Sequence, residues 1–384
     1  MKRRVLGLTA IRSEYFLQRS ILRSIVNHPD LELELVVAGA HLSPLHDETA
    51  RTIEQDGLPV VERIDSLLYS DRDAARLKGA ALQLQVLSHV IDRQRPDWLL
   101  AVGDREEPLA LSLCGAYMNI PVAHYGAGDR VVGNADDTIR HAISRIGHLL
   151  LTTNEDARLR LIRAGEQDWR VHNVGHAGLD RLRLTPALTP STVADLLGIP
   201  KIRPPYAVVI QHPLSSEIGH AGADMEETLA ATVEGVAQIF VSYPNSDAGS
   251  HRIVEVIERY RTHPHVHVFR NIPDTAFVNL LRGAAVLLGN SSLGLLEAPF
   301  LRLPVINVGH RQCERVHAEN VRFVGGDRKE ILAAIRRLLQ EHKTQRDART
   351  CSNPFGDGHS GERVARLLAT TPIDGRLLNK DLTF

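Results

Sequence analysis

The 384-residue chain has almost no net charge: 45 Lys and Arg against 46 Asp and Glu leave a formal charge of −1. Binding nucleic acid takes a basic face or stripe, so this balance excludes that class of partner. A few arginines gathered around a phosphate remain compatible with it. Long apolar runs are missing too, and none reaches the roughly 18–20 residues that cross a bilayer. The first nine residues are briefly apolar, but Arg12, Ser13 and Glu14 interrupt them at once. That opening reads as a buried strand rather than a signal peptide. Cysteine is scarce: Cys114, Cys313 and Cys351 are odd in number, far apart and without metal-ligand spacing. This pattern excludes a disulfide framework and points to reduced thiols in a cytoplasmic protein. No internal repeat or low-complexity segment is present. His263, His265 and His267 alternate as in an exposed strand, with no carboxylate pattern framing them, so no metal or other cofactor is expected.

What the chain does have is regular alternation. Hydrophobic residues make up 43% and charged ones 24%, the profile of a globular protein, and the length suggests two domains. Residues 5–9, 33–39, 98–102, 122–125 and 148–152 read as strands, with helical patterns over 16–27, 73–95 and 106–118. A second series places strands at 206–211, 239–243, 266–269, 286–289 and 305–308. Its helices fall at 224–238, 250–262, 274–282 and 292–301. Such alternation predicts βαβ units and parallel sheets. Between about 175 and 205 the period lapses, and Gly175, Gly178, Pro186, Pro190, Pro200, Pro204 and Pro205 crowd together. The expected fold is therefore α/β, with two Rossmann-like, doubly wound domains facing a central cleft and ligands beyond the carboxyl ends of the strands.

Four loops carry the candidate chemistry. Gly289-Asn290-Ser291-Ser292 leaves a strand and enters a helix, and small residues there let backbone amides approach a phosphate. Ser291 and Ser292 would add hydroxyl donors, and Glu297 would accept from ribose hydroxyls; plain helix capping is the alternative. Gly103-Asp104-Arg105-Glu106-Glu107 puts carboxylates at a strand end, suited either to acid–base work or to capping the next helix. His124-Tyr125-Gly126-Ala127-Gly128-Asp129, followed by Asp136, Asp137, Arg140 and His141, offers close carboxylates able to divide acid and base roles. Gln211-His212-Pro213 places a histidine directly after a strand. Arg12, Arg311 and Arg315 share that placement and suit a common anionic ligand.

In this order, the motifs resemble the UDP-N-acetylglucosamine 2-epimerase family over nearly the whole chain, and its hydrolysing branch in particular. The pieces are Gly39-Ala40-His41-Leu42-Ser43-Pro44, Gly103-Asp104-Arg105, Ile139-Arg140-His141-Ala142 and Gln211-His212-Pro213. Further on come Tyr243-Pro244-Asn245-Ser246-Asp247-Ala248-Gly249, Gly289-Asn290-Ser291-Ser292 with Glu297-Ala298-Pro299, Asn307-Val308-Gly309-His310-Arg311-Gln312 and Asn353-Pro354-Phe355-Gly356-Asp357-Gly358. The resemblance implies the fold of nucleotide-sugar glycosyltransferases (GT-B-like), with domains at 1–175 and 176–358. A last helix, within 359–384, would cross back onto the first. It also implies a homodimer, a UDP-sugar substrate and a carboxylate pair acting at C2 and the anomeric carbon. UDP would leave by elimination to a 2-acetamidoglucal, to which the hydrolysing branch adds water.

Matched position by position, Asp104, Asp129, Asp136 and His212 are the implied catalytic groups. Arg12, His41, Arg140, Asn245, Ser291, Ser292, Glu297, Arg311 and Arg315 are the implied UDP- and sugar-binding ones. One stretch departs. The hydrolysing branch carries His-Gly-Gly-Glu where this chain has Gly126-Ala127-Gly128-Asp129. The shorter carboxylate and missing imidazole imply altered geometry or a modified sugar, such as a 2,4-diacetamido-6-deoxyhexose.

Overall fold

The structure is a computed structural model that describes residues 2–43, 49–68, 70, 73–130, 135–214, 218–245, 249–344 and 351–383. Pro44 and residues 246–248 of the quoted motifs lie outside the described residues. The chain divides into two units, Met1–Arg181 with Phe355–Phe384, and Leu182–Pro354.

Unit 1 begins β1 (Arg3–Thr9), α1 (Arg12–Val26), β2 (Leu31–Ala38), α2 (Ala50–Gln55), β3 (Val60–Ile64) and α3 (Asp73–Gln94). It continues β4 (Trp98–Val102), α4 (Glu106–Met118), β5 (Val122–Tyr125), α5 (Ala135–Ile146), β6 (Leu149–Thr152), α6 (Glu155–Arg163) and β7 (Val171–Asn173). After α7 (Gly178–Leu184) and α8 (Pro190–Leu197) come β8 (Ala207–Ile210), α9 (Ala221–Gly235), β9 (Ile239–Ser242), α10 (Ser250–Tyr260) and β10 (Val266–Phe269). Unit 2 closes with α11 (Asp274–Gly283), β11 (Val286–Gly289), α12 (Leu293–Leu296), β12 (Val305–Val308), β13 (Val321–Val324) and α13 (Arg328–Thr344), before α14 (Ser360–Thr370) and α15 (Gly375–Leu378).

Both sheets are parallel throughout their paired strands, in the orders β3-β2-β1-β4-β5-β6-β7 and β10-β9-β8-β11-β12-β13. Chain direction across each sheet reverses once, between β1 and β4 in unit 1 and between β8 and β11 in unit 2. Loops leaving those pairs diverge to opposite faces, and the crevice between them is where open α/β sheets bind ligands. The central strands are buried on both faces, as β4, β5, β6, β8, β11 and β12 show along their whole lengths. Helices must therefore cover each side, and clusters built on Leu35, Trp98 and Leu100, and on Leu6, Leu99 and Leu111, fill the two faces of sheet one.

Helix α14 belongs to unit 1 because unit 1 caps both of its ends. Asp180 accepts from the amides of Ser360 (2.9 Å) and Gly361 (2.7 Å), and Arg3 donates to the carbonyls of Leu368 (2.9 Å) and Thr371 (2.7 Å). These groups are the orphan donors and acceptors that any helix leaves at its termini. The expected crossing-back of the last helix is thus present.

The helix expected over 292–301 is only one turn, Leu293–Leu296, followed by turns through Arg302. Pro299 explains the early stop: it has no amide to continue the ladder, and its ring opposes the carbonyl four residues back.

Candidate active site

In unit 1 the predicted residues gather beyond the carboxyl edge around the β1/β4 reversal. Asp104 follows β4 and Asp129 follows β5, while Asp136 and Arg140 ride the first two turns of α5. Arg140 joins them. Its Nη2 donates to Asp104, and its Nη1 donates to the Gly126 carbonyl at 2.7 Å and lies 3.9 Å from Asp129 Oδ2. The arginine side chain keeps 9% of its exposure, against 22% for Asp104 and 27% for Asp129. A covered cation thus organises two carboxylates that water and a ligand can still reach.

The sequence departure at 126–129 acquires a physical account here. Gly126 has φ +82°, and a Cβ added there would sit 3.3 Å from Arg140 Nη1. A glycine lets the loop turn tightly enough to point its carbonyl at the guanidinium. Asp129, one methylene short, is gripped from the end of β6: Thr153 Oγ1 donates to it at 2.8 and 3.0 Å and Asn154 Nδ2 at 3.3 Å. Asn154 in turn caps α6 through Ala157 N.

Burial holds the Asp104 carboxyl above the usual carboxylate range; Arg140 pulls it down and Asp136 pushes it up. A carboxyl shifted upward in this way holds a proton more readily than an exposed one, which suits a group that must take and give up protons. Deeper in the β1/β4 crevice, Arg105 lies among Glu14, Glu106 and Glu107. Burial, then the charge of Glu107, raises Glu14 well above its ordinary range. Glu107 is raised by burial, whereas Glu106 is lowered, its burial outweighed by Arg76 and other partners.

Two unit 1 histidines behave unlike a surface histidine. His41 is fully buried, with Nε2 2.9 Å from Thr9 Oγ1 and Nδ1 2.6 Å from Thr49 Oγ1, and burial lowers it to about 4. With both nitrogens taken, it braces the loops after β1 and β2 in a neutral form. His124, inside β5 and missed as a functional position, donates Nε2–H to the Gly103 carbonyl (2.8 Å) and has Nδ1 3.0 Å from Ser144 Oγ. Its burial lowers it to about 3, so it stays neutral and steadies the backbone beside Asp104. Arg12, directly after β1, is exposed and lies over the Phe16 ring at 5.6 Å.

In unit 2 the β8/β11 reversal is stitched together by Asn290, whose side chain accepts from His212 N (2.7 Å) and donates to the His212 carbonyl (2.9 Å). The Asn290 carbonyl accepts from Arg311 Nη1 (3.2 Å) and Gln312 Nε2 (3.0 Å), and Gln312 accepts from Arg315 (2.9 Å). Gly289 makes the approach possible: at φ +117°, a Cβ there would lie 2.1 Å from the Ile210 carbonyl. His212 Nδ1 accepts from Asn245 N at 3.1 Å, which places its proton on Nε2. Ser291 Oγ accepts weakly from Leu293 N (3.4 Å), Ser292 precedes α12, and Glu297 follows it. His212, Asn245, Ser291, Ser292, Arg311 and Arg315 thus share one edge of sheet two, with Asn290 at their centre. Asparagine is common in turns, and nothing in the local pattern marked this one as the hub.

The family model described as UDP-N-acetylglucosamine 2-epimerase matches residues 23–369. The chain belongs to that family. Among characterised relatives, UDP-N,N'-diacetylbacillosamine 2-epimerase (hydrolyzing) of Legionella pneumophila is 32% identical over 99% of both chains. GDP/UDP-N,N'-diacetylbacillosamine 2-epimerase (hydrolyzing) of Campylobacter jejuni is 29% identical over 83% of this chain and 84% of its own. The solved structure of UDP-GlcNAc 2-epimerase from Neisseria meningitidis bound to UDP-GlcNAc matches with a TM-score of 0.75 over 95% of this chain and 99% of its own, at 16% identity. The two-sheet, GT-B-like fold is therefore that of solved family members. Among the described residues, no helix is long and apolar enough to cross a membrane.

Proposed function

We propose that this chain is a hydrolysing 2-epimerase that converts a UDP-linked 2-acetamidohexose and water into the free C2-epimeric sugar and UDP. The observation that carries the proposal is the union of Asp104 and Asp129 on one guanidinium at the carboxyl edge of sheet one. Inverting C2 requires taking a proton from one face and returning one to the other. A single fixed carboxylate cannot reach both faces, so two acids from different loops suit the task. In the first half, Asp104 takes the C2 proton as the bond between C1 and the diphosphate oxygen breaks, leaving a C1=C2 double bond. In the second, Asp129 or Asp136 supplies a proton to the opposite face of C2. Water adds at C1 and gives its own proton to the carboxylate that protonated C2, while the proton taken by Asp104 passes to the departing UDP or to solvent, so atoms balance and each acid returns to its starting form.

Unit 2 serves the nucleotide in this proposal. Ser291, Ser292 and the arginines at 311 and 315 face the diphosphate, His212 Nε2–H donates to the departing oxygen, and Glu297 holds ribose. Asn290 keeps these loops together without touching substrate. Asn290→Ala removes the partner of the part-buried His212 amide and carbonyl, at about 1 kcal/mol. UDP affinity by calorimetry is expected to fall about tenfold or more; an unchanged affinity removes Asn290 from this role.

The sugar we favour is the one in UDP-N,N'-diacetylbacillosamine, ahead of N-acetylglucosamine. Support comes from the full-length likeness to the Legionella relative and from the Gly126–Asp129 loop, which has no imidazole. The balanced charge and unpaired cysteines support work in the cytoplasm, and the family resemblance supports a homodimer. The test supplies each UDP-sugar without an acceptor and separates products by chromatography. Free epimeric sugar and UDP in equal amounts are expected, faster with the diacetamido sugar. An intact epimeric UDP-sugar without UDP release indicates the non-hydrolysing reaction, and UDP release only on adding an acceptor indicates a glycosyltransferase.

A further inference from the structure

Asp136, Arg140 and Ser144 recur every four residues along α5, which stacks them on one face of the helix. That face makes two of the contacts already described, Arg140 to Asp104 and Ser144 to His124, whose other nitrogen holds the Gly103 carbonyl. The far end of the same helix is held by a residue 236 positions away. Lys380 Nζ donates to the carbonyls of Ser144 (2.8 Å), Arg145 (3.0 Å) and Gly147 (2.7 Å) at the helix terminus. Glu166 Oε2 lies 2.8 Å from the same ammonium, while its Oε1 accepts from Arg145 at 3.0 Å.

The segment that carries Lys380 is itself pinned. Arg170, fully buried, donates to the carbonyls of Leu377 (2.7 Å), Arg376 (2.8 Å) and Asn379 (3.2 Å). Arg170 and Arg376 both lie over the Trp169 ring, at 4.2 and 4.3 Å. Thr383 N donates to the Gly165 carbonyl at 2.9 Å.

We infer that Lys380 is a positioning residue for the reaction: as a three-carbonyl cap on α5, it fixes the helix register that brings Arg140 to Asp104 and Ser144 to His124. The inference rests on the proposed epimerase activity. Helix ends leave their last carbonyls unpaired and carry negative dipole charge, so a buried ammonium satisfies both at once. Without it the helix gains freedom to shift along its axis, and displacement of reacting groups by about 1 Å can lower a rate about a hundredfold. Charge state adds a second handle. Burial lowers the ammonium to about 8, Glu166 raises it again, and Arg145 and Arg170 lower it further. His148, whose carbonyl Arg170 also holds, is lowered by burial to about 4 and stays neutral there. The cap is therefore charged below about pH 8 and lost above it.

The test compares the full chain with Lys380→Met and Lys380→Arg. Lys380→Met is expected to lose at least about tenfold in kcat with KM nearly unchanged. Hydrogen exchange across 135–146 should quicken while the helices of unit 2 keep their protection. Lys380→Arg, charged at every working pH, is expected to keep much of the rate and to lose the fall in kcat near pH 8. An unchanged kcat in Lys380→Met overturns the inference. So does a fall near pH 8 that persists in Lys380→Arg, or a loss of rate that merely follows melting of the whole chain. If the unaltered protein turns over no UDP-sugar, the epimerase reading fails, and the exchange of α5 alone still decides whether Lys380 holds the helix.

Discussion

Asp104→Asn should lower kcat on a UDP-linked 2-acetamidohexose by about 10²–10⁴-fold, with UDP affinity unchanged within about twofold. Asparagine keeps the size of the side chain and can still accept a hydrogen bond from Arg140, so the cluster should stay assembled. What disappears is a group that can exchange a proton. The effect is expected in kcat rather than KM, because proton transfer at C2 belongs to the transition state. Calorimetry with UDP separates the chemistry of unit 1 from the nucleotide loops of unit 2. A kcat within about threefold of the parent would show that Asp104 only caps α4 or pairs Arg140.

Arg140→Met should do comparable damage by a different route. The substitution removes the donor to Asp104 and to the Gly126 carbonyl together, and it strips the cation from beside Asp129. The stability cost is about 2 kcal/mol, below the usual toll for breaking a buried ion pair, because Asp104 keeps 22% of its side-chain exposure. The kinetic signature is more diagnostic. Burial raises the Asp104 carboxyl and Arg140 opposes that rise, so removing Arg140 lets it climb further. Asp104 must be ionised to take the C2 proton, so the acid limb of the kcat profile should move to higher pH. A fall in kcat of about a hundredfold at neutral pH should therefore ease as the pH is raised. Arg140→Lys restores the charge without the two-pronged geometry and should recover only part of the rate. An acid limb that stays in place would break the link between this pair and the reaction.

Much of the fold could be read from the chain because most strands here are central. A strand buried on both faces must be a short, continuous apolar run, and β4, β5, β11 and β12 coincide with the runs expected. The strands that escaped notice, β3, β7 and β13, occupy or neighbour the sheet edges and mix charged or polar residues into three to five positions: Val-Val-Glu-Arg-Ile, Val-His-Asn and Val-Arg-Phe-Val. Half exposed, they had no apolar run to show. The loops of interest were legible for the same topological reason. Parallel strands deliver their C-terminal residues to one edge, so Asp104, Asp129, His212 and Ser291 could be placed without knowing any distance.

The partners within the site were not legible. Arg140 meets Asp104 across 36 residues and Asn290 meets His212 across 78, through contacts that only the folded sheets create. His124 looks like one more core position of β5, and its task, a hydrogen bond to the Gly103 carbonyl, leaves no mark on local periodicity. His41, named as a binding residue only through the family resemblance, is enclosed by two threonine hydroxyls in the core, and these partners were equally invisible in the sequence. Lys380 sits beyond every motif, and only the packing of the C-terminal segment connects it to α5.

The most direct test of acid–base chemistry at C2 is turnover of UDP-N,N'-diacetylbacillosamine in deuterated water, followed by proton NMR of the sugar. The account predicts UDP and a free, C2-inverted sugar in which deuterium has replaced the C2 proton. Release of UDP with the original proton retained at C2 would contradict it, because Asp104 and Asp129 would then have exchanged nothing with the sugar.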